Sequence, residues 1–123
     1  MIVGIGVDIV HVDRIEKWSK VPGIIDRFFH PLEVIDANKR KSAVNVSLAA
    51  RFAAKEAYGK ALGTGLRGIT LKDIQVFSDN HGKPEIRVHN TAETALRNSG
   101  ASRIFVSMTH ERDNAVAVVV LER

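Results

Sequence analysis

Cysteine is absent from the 123 residues of this chain, so disulfide bonds and thiolate metal sites are excluded. Aromatic residues make up only 6% of the sequence, and few of them lie among the basic residues, which argues against a stacking surface for nucleic acid. No apolar run reaches the roughly 20 residues that span a membrane. The first residues carry no basic flank and reach Asp8 too early for a signal peptide. These absences predict a cytoplasmic protein that binds neither nucleic acid nor membrane.

The charge balance nevertheless favours an anionic partner. The net charge is +4 and the isoelectric point is about 9.7, which suits a nucleic acid, a phosphorylated small molecule or an acidic protein. A chain of 123 residues is long enough for one hydrophobic core. We therefore expect one domain spanning residues 1–123.

The order of apolar and turn-forming segments predicts an α+β domain, with antiparallel strands around one long central helix. Apolar residues that alternate along the chain predict strands, and those three and four apart predict helices. The predicted strands span residues 2–10, 69–78, 84–89, 103–109 and 114–121, and short helices are predicted from Val12, Ile24, Pro31 and Thr91. The last strand is apolar on both faces, so we expect helices or another subunit to cover it.

Capping residues predict where the helices begin and end. Asn45 or Ser47 is expected to cap the start of the long helix, and Thr91 the start of the last one. Gly63 and Gly100 are expected to end these two helices, because glycine adopts the left-handed conformation that follows a helix.

The stretch 51–65, which contains most of the long helix and the glycines that end it, is the part of the chain around which the rest is organised. At about 100° per residue, Ala49, Ala53, Glu56 and Lys60 fall on one side. A solvated face normally carries several long, charged side chains, so an acid and a base among alanines indicate close packing or binding. The alternative is a surface pair between Glu56 and Lys60, worth about 0.2–0.5 kcal/mol.

A second acid stands in apolar surroundings at Asp8, inside the first predicted strand. A buried carboxylate is costly unless it is paired, hydrogen-bonded or bound to a metal, although a residue at a strand end or turn would also account for it. Two carboxylates near Lys60, without a histidine cluster, suit a hard ion such as Mg²⁺. Lysine also binds phosphate as a point charge. These residues indicate metal-assisted chemistry on a phosphate or pyrophosphate.

Four segments taken together resemble the acyl carrier protein synthase family, the small bacterial-type 4′-phosphopantetheinyl transferases. These segments are residues 4–10, the helix 51–65, the turn 82–84 and residues 107–110. They occur in the family's order and cover essentially the whole chain. The most specific of them is the Lys-Glu-Ala-x-x-Lys pattern of the helix, combined with the Gly-x-Asp pattern of the first strand.

The resemblance implies transfer of 4′-phosphopantetheine from coenzyme A to a serine of apo acyl carrier protein, in fatty acid biosynthesis. Adenosine 3′,5′-bisphosphate is the other product. By this resemblance Asp8 and Glu56 hold Mg²⁺ against the pyrophosphate, and Lys60 contacts the same phosphates. Either a metal-associated water or Glu56 itself would take the proton of the serine.

The resemblance also implies a homotrimer with coenzyme A bound between neighbouring subunits. Arg14 would meet the acidic carrier protein. The residues assigned to coenzyme A include those expected at its adenosine 3′-phosphate and adenine. They are Arg51, Gly63, Gly65, Gly82, Lys83, Pro84, Thr109 and His110.

Several interpretations stay open from the sequence alone. Lys55 is either a phosphate contact or a solvated side chain, and His81 and His89 are expected at the surface. A small basic RNA-binding or assembly module without catalysis is the alternative that the net charge favours, although no recognised nucleic-acid motif supports it. A coenzyme-A-binding protein without catalysis is a further alternative, but it would not need two acids beside the phosphates.

Overall fold

The computed structural model describes all residues from 1 to 123, and it has the expected α+β architecture. No helix in it is long and apolar enough to cross a membrane. Two short 3₁₀ turns lie at residues 41–43 and 71–73. The helices and strands, in chain order, are β1 (Ile2–His11), α1 (Val12–Ser19), α2 (Ile24–Phe28), α3 (Pro31–Asn38), α4 (Val44–Leu62), β2 (Ile74–Ser78), β3 (Pro84–Val88), α5 (Asn90–Ser99), β4 (Arg103–His110) and β5 (Asn114–Glu122).

The main sheet has three antiparallel strands in the order β1-β5-β4, while β2 and β3 form a separate hairpin. One face of the sheet packs on α4, which is buried over most of its surface. Because side chains alternate along a strand, this contact buries every second residue of β5. The buried residues of β5 are Ala115, Ala117, Val119 and Leu121.

Strand β1 lies directly against the backbone of α4. A Cβ atom built on Gly4 would stand 1.9 Å from the carbonyl oxygen of Ala61, and one built on Gly6 would stand 1.9 Å from that of Ala57. Only glycine fits at these two positions of β1. Asp8 lies on the same face, two residues further along, so the close approach brings its carboxylate to the helix.

The opposite face of the sheet is apolar and open. Ile5, Val7 and Ile9 of β1 are 55–61% exposed, and Phe105 of β4 is 46% exposed. The alternation of β1 places its three residues beside the outward residues of β5, with Val7 opposite Val118. The expectation that both faces of β5 are covered is therefore met on one face only within this chain.

Strand β2 begins at Ile74, so the prediction of a strand from residue 69 is wrong at its start. Leu71–Asp73 forms a 3₁₀ turn instead. The carbonyl of Leu71 in this turn accepts a hydrogen bond from the buried Nζ of Lys55, and so does the carbonyl of Ile74, the first residue of β2. The hairpin itself, with its turn before β3, is confirmed.

The predicted caps at the helix starts are wrong, and those at the ends are confirmed. No side chain caps α4, which continues from the preceding 3₁₀ turn at Val44. Thr91 lies inside α5, where its backbone N–H donates to Asp73, so that distant carboxylate acts as the cap. Gly63 and Gly100 both follow their helices with positive φ, of 83° and 85°.

His30 caps α3, and its ring stacks on that of His89 with centroids 5.6 Å apart. The Nδ1 of His30 accepts a hydrogen bond from the backbone N–H of Leu32, and the backbone N–H of His30 donates to Oε1 of Glu33. His89 is partly buried and contacts Gln75 through Nε2, so the expectation of a surface histidine is wrong there. The cap requires an unprotonated Nδ1 on His30, because this nitrogen accepts the hydrogen bond from Leu32.

We expect the His30→Asn variant to lose less folding stability than the native chain when the pH is lowered. Burial lowers the pKa of His30; the charges of His89, Lys55 and Lys72 act in the same direction, while Glu33 opposes them. Because the folded pKa lies below the unfolded value of 6.5, the folded chain binds fewer protons, so stability falls as pH drops through that window. Asparagine caps a helix without titrating.

The measurement is the melting temperature from about pH 7 down to about pH 5, where histidines titrate. The melting temperature of the native chain should fall further over this range than that of the His30→Asn variant. His81→Asn, at an exposed turn, is the control and should follow the native curve. Parallel curves for all three proteins would show that His30 does not govern the acid response.

Candidate active site

The three residues expected to carry chemistry lie together where β1 meets α4. The Nζ of Lys60 is 2.9 Å from Oδ1 of Asp8 and 3.2 Å from the carbonyl oxygen of Val7. The side chain of Asp8 is 17% exposed and that of Lys60 is 54% exposed. Lys60 therefore pairs across to the strand, and the alternative of a pair with Glu56 along the helix is wrong.

Glu56 is half-buried beside this pair and forms no ion pair of its own. Burial raises the pKa of the Glu56 carboxyl, and the nearby charge of Asp8 raises it further, while Arg14 and Lys60 act in the opposite direction. The two acids are thus close enough to repel each other. Their repulsion, in a site that excludes part of the solvent, is what a cation would relieve.

Asp8 and Glu56 fit a magnesium ion better than a metal that needs a complete protein cage. No group of three or more histidine, cysteine, aspartate or glutamate side chains in the chain could hold a metal. Mg²⁺ is usually bound by one or two carboxylates, with water and substrate phosphates as the remaining ligands. The donor set is hard, anionic and incomplete, and it therefore suits Mg²⁺ bound together with a phosphate-bearing ligand.

Arg14 lies over two aromatic rings, one on α1 and one near the middle of α4. Its guanidinium carbon lies 5.3 Å from the ring centroids of both Trp18 and Phe52, which is within the range of cation–π attraction. Phe52 precedes Glu56 by one helical turn, and the charge of Arg14 lowers the pKa of Glu56. Arg14 is exposed, so it is available to a partner while it acts on the acid.

A cavity of about 270 Å³ brings together Arg51, Gly82, Pro84 and His110, four of the residues expected to contact coenzyme A. Arg51 is only 3% exposed, however, and the N–H groups of its guanidinium already donate hydrogen bonds within the chain. They donate to Ser47, to the carbonyl of Val76 and to Asp36. Arg40, which is exposed and also pairs with Asp36, supplies the more accessible positive charge at this cavity.

The other residues expected at the coenzyme lie outside that cavity. Thr109 lines a second cavity of about 280 Å³ at the edge of the open sheet face, and His110 lines both cavities. Gly63 lines a third, of about 580 Å³, between the ends of α4 and α5. Gly65 folds back so that its N–H donates to the carbonyl of Gly59, while Lys83 is exposed in the hairpin turn. Within one chain these residues form no single cleft.

Both interpretations of Lys55 are wrong, because this lysine is completely buried. Its Nζ lies 2.7 Å from Oε1 of Glu33, which is also buried. The signal that sequence reasoning missed is Glu33, three residues after His30. That spacing is typical of a capping box, and it marked an acid held at the start of α3, facing the long helix.

Comparison with known proteins identifies the class to which this fold and site belong. Residues 4–119 match the family model of the 4′-phosphopantetheinyl transferase superfamily, and the chain belongs to that family. The expectation drawn from the four sequence motifs is thereby confirmed.

Within the family, the relatives share one name. A holo-[acyl-carrier-protein] synthase of Treponema denticola is 48% identical over 122 residues, which cover 99% of both chains. The crystal structure of holo-[acyl-carrier-protein] synthase from Neisseria meningitidis superposes with a TM-score of 0.88, at 40% identity and 100% coverage of both chains. The Bacillus anthracis enzyme, in complex with coenzyme A (3′,5′-ADP), gives a TM-score of 0.83 at 38% identity, covering 99% of this chain and 97% of that one.

Proposed function

We propose that this chain is a Mg²⁺-dependent transferase that moves 4′-phosphopantetheine from coenzyme A to a serine of apo acyl carrier protein. The observation that carries the proposal is the meeting of Asp8, Glu56 and Lys60 at the contact between β1 and α4. The relatives support the substrates, since they are named holo-[acyl-carrier-protein] synthases and one was solved with coenzyme A. The reaction would serve fatty acid biosynthesis in the cytoplasm.

In this reaction the serine oxygen forms a bond to the β-phosphorus, and the bond from that phosphorus to the bridging oxygen breaks. Adenosine 3′,5′-bisphosphate leaves with that oxygen. Asp8 and Glu56 would hold Mg²⁺, which neutralises charge on the pyrophosphate as the bond breaks. Lys60 would turn from Asp8 to the phosphates and stabilise the same charge. The exposed ammonium group of Lys60 has the freedom to make that change.

The serine proton has two acceptors in this proposal, Glu56 and a water molecule beside it. Glu56 is a candidate because its carboxylate lies beside Asp8 and Lys60, where the reacting phosphate would bind. Arg14, which acts on the pKa of Glu56 from outside, would approach the acidic carrier protein at the moment of transfer. The carrier would thus meet the residue next to the acid that receives its proton.

A homotrimer would complete the coenzyme site. The open face of the main sheet is an apolar surface that needs a cover, and a second copy of the chain has a matching one. The second cavity, lined by Thr109 and His110, lies at the edge of this face. A neighbouring subunit there would join residues that one chain leaves apart.

The deciding experiment is mass spectrometry of an apo acyl carrier protein after incubation with this protein, coenzyme A and Mg²⁺. The carrier should gain the mass of one phosphopantetheine group, and chelation of Mg²⁺ should prevent the gain. An unchanged carrier mass, together with salt-sensitive binding of RNA, would favour the non-catalytic alternative. Binding of coenzyme A without its consumption would reduce the function to coenzyme binding.

We expect Arg14→Glu to raise the KM for the carrier protein several-fold, because exposed charges steer an oppositely charged partner. Added salt should weaken carrier binding more than coenzyme A binding for the same reason. The structure adds a smaller effect on turnover, since a new acid beside Glu56 replaces a cation that acts on it.

Steady-state kinetics with each substrate varied in turn measure both effects. Arg97→Glu, an equal charge change on α5, is the matched control and should leave the KM for the carrier nearly unchanged. Equal changes in the two KM values for Arg14→Glu would reject a docking role for this residue.

A further inference from the structure

Alanine forms much of the buried surface of helix α4, although Leu48, Phe52 and Tyr58 are buried as well. Alanines offer similar surfaces to a neighbour at several rotations about the helix axis. The site nevertheless needs one rotation, because Glu56 must face β1. The fully or nearly fully buried alanines of α4 are Ala49, Ala50, Ala53, Ala54, Ala57 and Ala61.

Lys55 is buried on the side of α4 that faces α3 and β2, and its contacts there depend on the rotation of the helix. Its Nζ donates to Oε1 of Glu33 at 2.7 Å, to the carbonyl of Leu71 at 3.0 Å and to that of Ile74. Glu33 accepts two further hydrogen bonds, from the backbone N–H groups of His30 and Val76. Helix α3, the 3₁₀ turn before β2 and β2 itself are thereby tied to one ammonium group. No buried side-chain nitrogen or oxygen in the chain lacks a partner.

A second ion pair lies one turn earlier on α4 and also joins this helix to α3. Arg51 of α4 binds Asp36 of α3 and the carbonyl of Val76 in β2. The two acids, Glu33 and Asp36, are three residues apart on α3, and the two bases are four apart on α4. Two contacts on one side of a helix resist its rotation far more strongly than one.

We propose that Lys55 and Glu33 are a positioning pair that fixes the rotation of α4 and so holds Glu56 toward Asp8. Glu56 follows Lys55 in sequence and projects about 100° further round the helix. A rotation of about 20° would move a side-chain tip by about 2 Å at the roughly 5–6 Å radius of a helix. Displacements of about 1 Å already impair catalytic sites. The inference rests on the proposed function for its consequence in turnover.

Stability alone does not account for this pair. Well-packed apolar side chains of similar volume often replace a buried ion pair at little cost, while the loss of one partner is strongly destabilising. Electrostatics and positioning also predict opposite effects on metal binding. Removal of the positive charge of Lys55 would favour a nearby cation, whereas loss of helix position would weaken its binding.

The test is the double variant Glu33→Gln/Lys55→Met, which keeps the side-chain volumes and leaves no buried charge unpaired. Its Mn²⁺ affinity is measured in the presence of coenzyme A by the electron paramagnetic resonance signal of free Mn²⁺. We expect about a tenfold weaker Mn²⁺ affinity and about a tenfold lower kcat, in the range found when residues supporting metal ligands are changed. The KM for the carrier protein should not change.

Tyr58→Phe is the matched control, because it removes a buried hydrogen bond from α4 to the carbonyl of Ala92 and leaves the pair intact. It should lower the melting temperature without changing Mn²⁺ affinity. If the double variant does not fold, Glu33→Asp, which keeps the charge and shortens the side chain by one methylene, should show an intermediate loss of affinity. Native Mn²⁺ affinity and native kcat in whichever of these variants folds would overturn the proposal.

The metal measurement also separates this inference from the proposed function. If the native chain transfers no phosphopantetheine but binds Mn²⁺ through Asp8 and Glu56, only the reaction is wrong. The positioning role is then still decided by the Mn²⁺ affinity of the double variant. If transfer occurs and the double variant matches the native chain, the positioning role alone is wrong.

Discussion

Asp8→Asn and Glu56→Gln should each lower the rate of phosphopantetheine transfer about a hundredfold or more. Each change keeps the side-chain volume and removes one anionic ligand from the site where β1 meets α4. Losses of this size follow the removal of a group that stabilises charge in a transition state. Initial rates of carrier modification, measured across Mg²⁺ concentrations, provide the test.

The same variants should fold, and Glu56→Gln should melt at an unchanged or slightly higher temperature without metal. The pKa of Glu56 is raised above its ordinary 4.5, so the ionised carboxylate is disfavoured in the folded state. The native chain therefore loses stability as pH rises from 4.5 through the raised value, and glutamine does not. The stability of the variant relative to the native chain should increase across this pH window and stay higher at neutral pH.

Mg²⁺ adds a second readout that does not depend on turnover. A ligand that binds only the folded state raises the melting temperature, so the native chain should be stabilised by Mg²⁺ with coenzyme A and both variants should lose this increase. Because Glu56 must be ionised to bind a metal, the increase should grow with pH through its raised pKa. Glu93→Gln, at an exposed position on α5, is the control. If both amide variants retain turnover and Mg²⁺ dependence, the two acids are structural.

Val7→Glu should convert a trimer into monomers and abolish most of the activity. Val7 is 55% exposed and lies opposite Val118 on the open face of the main sheet. A carboxylate placed there would be buried without a partner if another subunit covered the face, at a cost of several kcal/mol. The isolated chain tolerates it, because the side chain then faces water.

Light scattering at micromolar concentration measures the mass of each protein. Ile35→Glu is the matched control, since Ile35 is 54% exposed but lies on α3 rather than on the sheet. It should remain a trimer with native activity. A monomer mass for the native chain would refute the trimer and the shared coenzyme site with it. A trimer of Val7→Glu would place the subunit contact elsewhere.

The sequence was sufficient to predict that Asp8, Glu56 and Lys60 lie together, because acids and bases in apolar segments are conspicuous. Their actual pairing was not predictable. Lys60 is nearer to Glu56 in sequence, and only the approach of β1 turns it to Asp8. Gly4 and Gly6 allow that approach. From the sequence, close packing was expected at Ala49 and Ala53, and no role was predicted for these two glycines. A glycine in a strand does not indicate close packing until the segment that contacts it is known.

Lys55 shows why local patterns fail for buried charges. Its partner Glu33 is 22 residues earlier, and the carbonyls of Leu71 and Ile74 that it binds are 16 and 19 residues later. None of these partners can be recognised from the residues next to Lys55. Similarly, Thr91 has the right residue type for a cap, but Asp73 reaches the end of α5 from another segment.

The contact of Gly4 and Gly6 with α4 also determines how β1 aligns with β5. A shift by two residues would preserve the alternation of inward and outward side chains, so hydrophobicity alone would permit it. In one direction the shift would place Asp8 where Gly6 meets the carbonyl of Ala57, and in the other it would place Ile2 where Gly4 meets Ala61. Neither side chain has space there. The two glycines therefore determine the register of β1, because only the observed alignment places a glycine at both contacts with α4. The same alignment places the carboxylate of Asp8 beside the helix.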